Sequence, residues 1–347
     1  MLKELSEAYG VSGHEEPVRE IIAAAIAEHV DEQRVDALGN LIALKKARGR
    51  GKKALKVMVA AHMDEVGLMV VNIEKDGTLR FLPVGGVDPR VLLAKAVLIG
   101  DGKVPGVIGF KPIHKLRPPE RTQVPKPEEL NIDIGVSSKE EAERLVKVGD
   151  YVMFHTQFAE VPGSSQRTVI GKAFDDRAGC AVLIELLQEK YPFDLYAVFT
   201  VQEEVGLRGA RVAAYAIEPD VAFVLEGTVC DDMPKKRDVS PTTRLGGGPA
   251  LTIMDRSVIT DRRLVRLLIE TAEELGIPYQ FKQPVVGGTD AGAIHLTKEG
   301  VPSAVAAVPA RYIHSPVCMT SLDDFDHTVQ LMKAALVKLP GVELRRE

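Results

Sequence analysis

The chain has 347 residues, 45% of them hydrophobic and 27% charged, with a net charge of −5; this is the composition of a water-soluble globular protein of one large or two ordinary domains. The negative balance argues against bulk attraction to nucleic acid or anionic membrane, and no apolar run reaches the roughly 20 residues that span a bilayer. Three widely spaced cysteines without a C-x-x-C pair imply neither a disulfide framework nor a zinc knuckle, and the opening MLKELSEAYG lacks the features of a signal peptide, so a cytoplasmic location is expected.

Residues 15–30 carry apolar side chains at helical spacing, ending in the alanine-rich IIAAAIAEHV, and predict a helix. Two alternating runs within 34–44, around the turn signal Gly39-Asn40, predict short strands. The run KKARGRGKK (45–53) holds six basic residues in nine. No aromatic residues interleave to stack on bases, so it reads as a solvated loop between strands. ALKVMVAAH then predicts a buried strand ending at His62.

From Gly67 to about Ser164 short β-rich pieces alternate with turn signals (Asp76-Gly77, Gly85-Gly86, Asp101-Gly102). One short helix is expected there, behind a capping box of Ser138 and Glu141. The block predicts a small β-rich domain, residues 65–163, inserted into a larger one made of 1–64 and 164–347. From Val169 helical and strand patterns alternate: AGCAVLIELLQEK, LYAVFTV, a helix over 208–216, VAFVL, RRLVRLLIETAEEL, SAVAAV and a last helix over 322–339. That order predicts an α/β fold with a mixed, largely parallel sheet flanked by helices.

In open α/β sheets, ligands collect at the carboxyl ends of the strands. Here VMVAAH ends at His62, with Asp64 two residues on, and YAVFTVQEE ends at Glu203 and Glu204. VAFVLE ends at Glu226, SAVAAVPARYIH ends at His314, and Asp175-Asp176 opens a helix after the β-rich block. Two imidazoles with three carboxylates suit zinc, cobalt or manganese better than an all-oxygen calcium or magnesium site. A bridging carboxylate can hold two ions about 3.5–4 Å apart, and a further carboxylate is then needed to accept a proton from the attacking water. Adjacent Glu203 and Glu204 could divide those tasks. Any one strand-end carboxylate is more often a solvated charge, so the weight rests on the set.

The segments AHMDEVG (61–67), AFDDRAGC (173–180), VQEEVGLRGA (201–210), GGTDAG (287–292) and RYIHSP (311–316) resemble, in this order, the successive motifs of the tetrahedral (TET) aminopeptidases. That family of dinuclear metallopeptidases includes the glutamyl aminopeptidases, and the resemblance covers essentially the whole chain. It implies that His62 binds one metal and that Asp64 orients its imidazole. Asp175 would bridge two ions just before a cis peptide to Asp176, Glu204 and His314 would complete the second site, and Glu203 would be the general base. Glu226, the remaining ligand, departs from the pattern, which usually shows Asp there. The resemblance further implies two divalent ions per subunit, zinc foremost with cobalt or manganese as alternatives. It makes 65–163 a dimerisation domain and implies dimers assembling into a tetrahedral dodecamer. The substrates would be short peptides hydrolysed from the N-terminus by a metal-activated water, with neither nucleic acid nor membrane as a partner.

Glu226 keeps a carboxypeptidase or N-acyl deacylase open as the alternative. A glycosidase would need two carboxylates about 5–9.5 Å apart and no imidazoles. His14, His29, His114, His155, His295 and His327 lie off the motifs. Asp290 reads equally as pocket lining or helix N-cap, and Cys318 as a small buried apolar group.

Overall fold

The structure, a computed structural model, describes residues 1–48, 54–233, 242–283 and 287–344. Of the basic run, only 45–48 lie among the described residues. Lys45 is half-buried there, its Nζ donating to the carbonyls of His29 (2.8 Å) and Leu187 (2.5 Å), while Lys46 pairs with Glu32 on the surface.

The predicted hairpin is β1 (Glu32–Val35) with β2 (Leu41–Lys45), and β3 (Lys56–His62) follows. Six strands come next: β4 (Gly67–Ile73), β5 (Leu79–Val84), β6 (Ala96–Ile99), β7 (Val104–Ile108), β8 (Ile132–Asp133) and β9 (Tyr151–Phe154). They close into an antiparallel barrel. The chain then enters the large sheet through β10 (Ala159–Glu160), β11 (Thr168–Gly171), β12 (Asp194–Thr200) and β13 (Val221–Cys230). The last strands are β14 (Ala250–Thr252), β15 (Gln280–Phe281), β16 (Ser303–Arg311) and β17 (Cys318–Ser321). The order across the large sheet is β1-β2-β12-β3-β13-β16-β17-β11-β10, with β14 and β15 alongside β16. The four central strands β12, β3, β13 and β16 run parallel, and the flanks are antiparallel.

The parallel centre follows from strands that are apolar on both faces. Successive side chains of β3 alternate sides. Val57, Val59 and Ala61 join a core with α1 (Leu2–Glu7), α2 (Glu16–Ile26), α4 (Phe174–Leu186), α6 (Arg262–Leu275) and α8 (Leu322–Lys338). Met58 and Ala60 face α5 (Arg208–Ile217) and α7 (Ala291–Ile294) on the other side. The barrel encloses its own core, with Leu68, Val70, Phe81, Ile99, Ile132 and Phe154 among its members. Closure leaves its strands without long free edges. The expected short helix, α3 (Lys139–Glu143), starts at Ser138, whose Oγ accepts from the Glu141 amide at 3.3 Å. The Glu141 carboxylate accepts in turn from the Ser137 amide rather than from Ser138. No helix among the described residues is long and apolar enough to cross a membrane.

Two features were not expected. Strand β13 does not stop at Glu226 but runs on to Cys230, because β16 pairs with it residue for residue through Cys230↔Arg311. The short helix α1 exists because the interior holds it. Arg177 is fully buried, and its guanidinium donates to the carbonyls of Leu5 (2.6 Å), Ala8 (3.1 Å), Gly10 (3.3 Å) and Met63 (2.7 Å) and to Glu65 (3.3 Å). Lys172, equally buried, donates to both Glu65 oxygens (2.6 and 2.8 Å) and to the Ala8 carbonyl (2.8 Å). Burial pushes its ammonium down to about 8, against the pull of Glu65. Buried charges of this kind persist only when paired and hydrogen-bonded. Replacing Lys172 by Met strips two bonds from Glu65 and is expected to lower the unfolding free energy by about 3 kcal/mol. The measurement is the denaturant midpoint at constant m-value; an unmoved midpoint would mean that Arg177 and the Gly10 amide suffice for Glu65.

Candidate metal centre

The parallel register brings the site together. His62, the last residue of β3, pairs with Thr200, the last of β12, and β13 pairs with β3 up to Val224↔Ala60, two residues short of Glu226. The imidazole and the Glu226 carboxylate therefore stand side by side at the rim. His62 Nε2 lies 3.6 Å from Glu226 Oε2, 3.3 Å from Asp175 Oδ1 and 4.0 Å from Glu203 Oε2. On the other side of Asp175, His314 Nε2 lies 3.5 Å from Oδ2 and 3.4 Å from Glu204 Oε2. Asp175 thus points one oxygen at each histidine. All six of these residues line one cavity of about 550 Å³.

Asp175 reaches this position through a break at the start of α4, where Asp175 and Asp176 leave helical geometry and share a cis peptide. Gly227 lets the backbone pass: a Cβ there would come within 2.6 Å of Asp175 Cα. Asp176 brings an oxygen into the group of His62 and Glu226. Both its oxygens are already engaged, however, with the His62 amide (3.0 Å) and the Gly179 amide (2.9 Å), so it braces the backbone.

Asp64 lies behind His62, fully buried and past the strand end, with its backbone carbonyl 3.1 Å and its Oδ1 3.4 Å from Nδ1. Its carboxylate accepts from Ser12 Oγ (2.6 Å) and from the amides of Glu203 (3.0 Å) and Glu204 (3.1 Å). His314 Nδ1 lies 3.0 Å from the carbonyl of Gly86, between β5 and the next barrel strand. Each imidazole is thereby anchored through Nδ1, which leaves Nε2 to face Asp175.

Burial pushes Glu203 and Glu226 well above the ordinary carboxyl range; neighbouring carboxylates add to the shift and His62 opposes it. Burial also raises Glu204 to about 7 against the pull of His314, and Asp290 to about 6 against that of His62. For Asp175 burial acts upward too, but the contacts with His314 and His62 outweigh it and hold the group below its usual value. On His314 burial acts downward, and the contacts with Asp175 and Glu204 outweigh it, raising the imidazole to about 10. So many acids in so small a volume repel one another unless cations intervene. The donor set fits such cations. Asp175 Oδ1 is buried without a hydrogen-bond partner, and the ligand atoms of Asp175, Glu204 and His314 lie within 4.8 Å of one another. Imidazole with carboxylate is the donor chemistry of zinc, cobalt and manganese.

The sequence leaves Asp290 open between pocket lining and helix N-cap, and it gives no signal for Lys282. Asp290 makes no capping bond at the start of α7. Its Oδ2 accepts instead from Thr200 Oγ1 at 2.5 Å, its Oδ1 is buried without a partner, and its amide donates to Glu226 Oε1 at 3.3 Å. Thr200 closes the apolar run LYAVF (195–199), and that was the available signal. Lys282, next to β15, also lines the cavity.

Comparison with known proteins supplies the family. The sequence model of the family described as M42 glutamyl aminopeptidase matches residues 39–331, and a second one, AMPT, matches residues 1–22. The lysyl aminopeptidase of Pyrococcus furiosus is 37% identical, covering 99% of this chain and 98% of its own. The structure of an aminopeptidase from the archaeon Desulfurococcus kamchatkensis superposes with a TM-score of 0.91 at 41% identity, covering 97% of this chain and 93% of that one. The TET1 peptidase of Pyrococcus horikoshii, which can assemble into a tetrahedron or a large octahedral shell, gives a TM-score of 0.84 at 36% identity and covers 97% and 98% of the two chains. The chain thus belongs to the M42 glutamyl aminopeptidase family of metal-dependent aminopeptidases.

Proposed function

We propose that this aminopeptidase cleaves the first peptide bond of short peptides at the cavity rim and that it holds two divalent ions to do so. His62, Asp175 and Glu226 would hold one ion and Asp175, Glu204 and His314 the other, with Glu203 as general base. The observation that carries this reading is Asp175, whose two oxygens face two different imidazoles. Bound divalent ions supply Lewis acidity, polarising the scissile carbonyl and making water a stronger acid. Glu203, whose Oε2 stands 4.0 Å from His62 Nε2 at the cavity wall, takes the proton of the attacking water and returns it to the departing amine. Asp64 and the Gly86 carbonyl keep the two imidazoles oriented. Zinc is the ion we expect, with cobalt or manganese as substitutes.

Glu203→Gln is expected to lower kcat by about 10²- to 10⁴-fold with KM nearly unchanged and two ions per chain still bound. His314→Ala should reduce the bound metal to one ion. Activity assays paired with elemental analysis test both, and a fully active Glu203→Gln enzyme would remove Glu203 from the reaction.

Beyond the metals the cavity is walled by Leu207, Thr228, Val229, Thr289 and Ile313, with Lys282 as its basic residue. Among the described residues Lys282 has no ion-pair partner. We infer a preference for peptides whose first residue is acidic. Lys282→Glu should lower kcat/KM on glutamyl substrates by about tenfold or more, the worth of a ~1.4 kcal/mol contact, and improve lysyl substrates. A panel of aminoacyl chromogenic substrates that shows no such shift would place specificity elsewhere.

The barrel and the connection from β7 to β8 expose Leu82, Val107, Phe110, Ile113 and Val124, with Ile113 70% accessible. We propose that this apolar surface buries against a second copy, and that the pairs build a tetrahedral particle of twelve chains. Light scattering should find the large particle, and Phe110→Asp with Ile113→Asp should dissociate it. A monomeric native chain would contradict the assignment.

A further inference from the structure

The turn that presents Glu203 and Glu204 begins where β12 ends, so its amides have no neighbouring strand to pair with. Four consecutive amides are taken instead by side chains from distant segments. Asn40 Oδ1 accepts from Val201 (3.0 Å), Glu15 Oε1 from Gln202 (3.1 Å), and the two oxygens of Asp64 from Glu203 (3.0 Å) and Glu204 (3.1 Å). Gln202 is held in the left-handed region with φ 56° although it is not glycine, a conformation that needs outside support.

One of these supports, Glu15, comes from the N-terminal segment, and Ser12 of the same segment braces another, Asp64. Glu15 is 3% exposed, and its Oε1 accepts from both Gly13 (2.7 Å) and Gln202. Ser12, also buried, donates to Asp64 Oδ2 at 2.6 Å. The segment cannot drift, because it pairs with Glu65 through the Val11↔Glu65 bridge and the Ser12 amide, and Arg177 grips the Gly10 carbonyl.

We propose that Ser12 and Glu15 are positioning residues for the hydrolysis: Glu15 fixes the left-handed turn that aims Glu203, and Ser12 fixes the Asp64 carboxylate behind His62. The inference rests on Glu203 being the base and His62 a ligand, as argued above. The two arms act differently. Loss of Glu15 misaims the base without touching a metal ligand. Loss of Ser12 frees Asp64 and so loosens both the His62 imidazole and the turn.

The test combines kinetics, metal titration and amide exchange on the full-length protein. Glu15→Ala should lower kcat by about 10- to 100-fold, the scale of a misplacement near 1 Å, with KM within about twofold and metal content unchanged. Its amides at 202–204 should exchange faster with and without metal. Glu15→Gln keeps an acceptor oxygen at the same reach and should restore most of kcat, whereas Glu15→Asp retracts the oxygen and should not. Ser12→Ala should weaken metal binding about tenfold, the usual cost of losing an outer hydrogen bond, and Ser12→Thr should restore it. If Glu15→Ala fails to fold, the contrast between Gln and Asp at the same position decides. Equal kcat in those two variants, or unchanged exchange at 202–204, would overturn the proposal. Glu203→Gln run in parallel keeps the readings apart: an active Glu203→Gln enzyme would defeat the base assignment, while the exchange data would still report on the bracket.

Discussion

The centre of this molecule is organised around one buried carboxylate. Asp64 faces the Nδ1 of His62, receives a hydroxyl from the N-terminal segment, and takes the amides of the two glutamates on the neighbouring strand end. A lone charge at such depth would be prohibitively costly; this one persists because every direction around it offers a donor. The surrounding acids have no such surplus of donors. Asp175, Glu203, Glu204 and Glu226 face one another across the cavity and share only two imidazoles. One arrangement is complete within the polypeptide, and the other fits positive charge from outside. That contrast separates the scaffold of the site from its working part.

The N-terminal segment belongs to the scaffold. Arg177, two residues after Asp175, collects carbonyls from Leu5, Ala8 and Gly10, and Lys172, three residues before it, reaches Ala8 and Glu65. The same stretch of chain that delivers Asp175 therefore also draws in the segment carrying Ser12 and Glu15. Family membership removes the carboxypeptidase and deacylase alternatives. Glu226 is accommodated through Oε1, which accepts the Asp290 amide, while Oε2 turns to His62.

Much of this was legible in the sequence, because buried parallel strands announce themselves as unbroken apolar runs. VMVAAH, LYAVFT, VAFVL and SAVAAV all became central strands, and His62, Glu203, Glu204, Glu226 and His314, at or beyond their ends, line one cavity. The order of five motifs supplied the family. Features that depend on partners distant in sequence were not legible. β14 and β15 are three and two residues long and exist through pairing, not through pattern. The sequence left Asp290 open between helix cap and pocket lining; only Thr200, ninety positions earlier, shows which partner its carboxylate takes. Asp64 stands two residues beyond the strand end, and its bonds with Ser12 and the two glutamate amides could not be read from its neighbours.

The bond between His314 and Gly86 joins two bodies with separate cores: the imidazole belongs to the large sheet and the carbonyl to the barrel. His62 has no such tie, since its anchor Asp64 lies within the sheet side of the chain. A small rigid displacement of the barrel would therefore tug on one imidazole and spare the other, so the two halves of the centre differ in their mechanical exposure. The barrel and the connection from β7 to β8 also expose apolar side chains, Leu82, Phe110 and Ile113 among them. A load on that surface would have a path one hydrogen bond long to His314 in the interior.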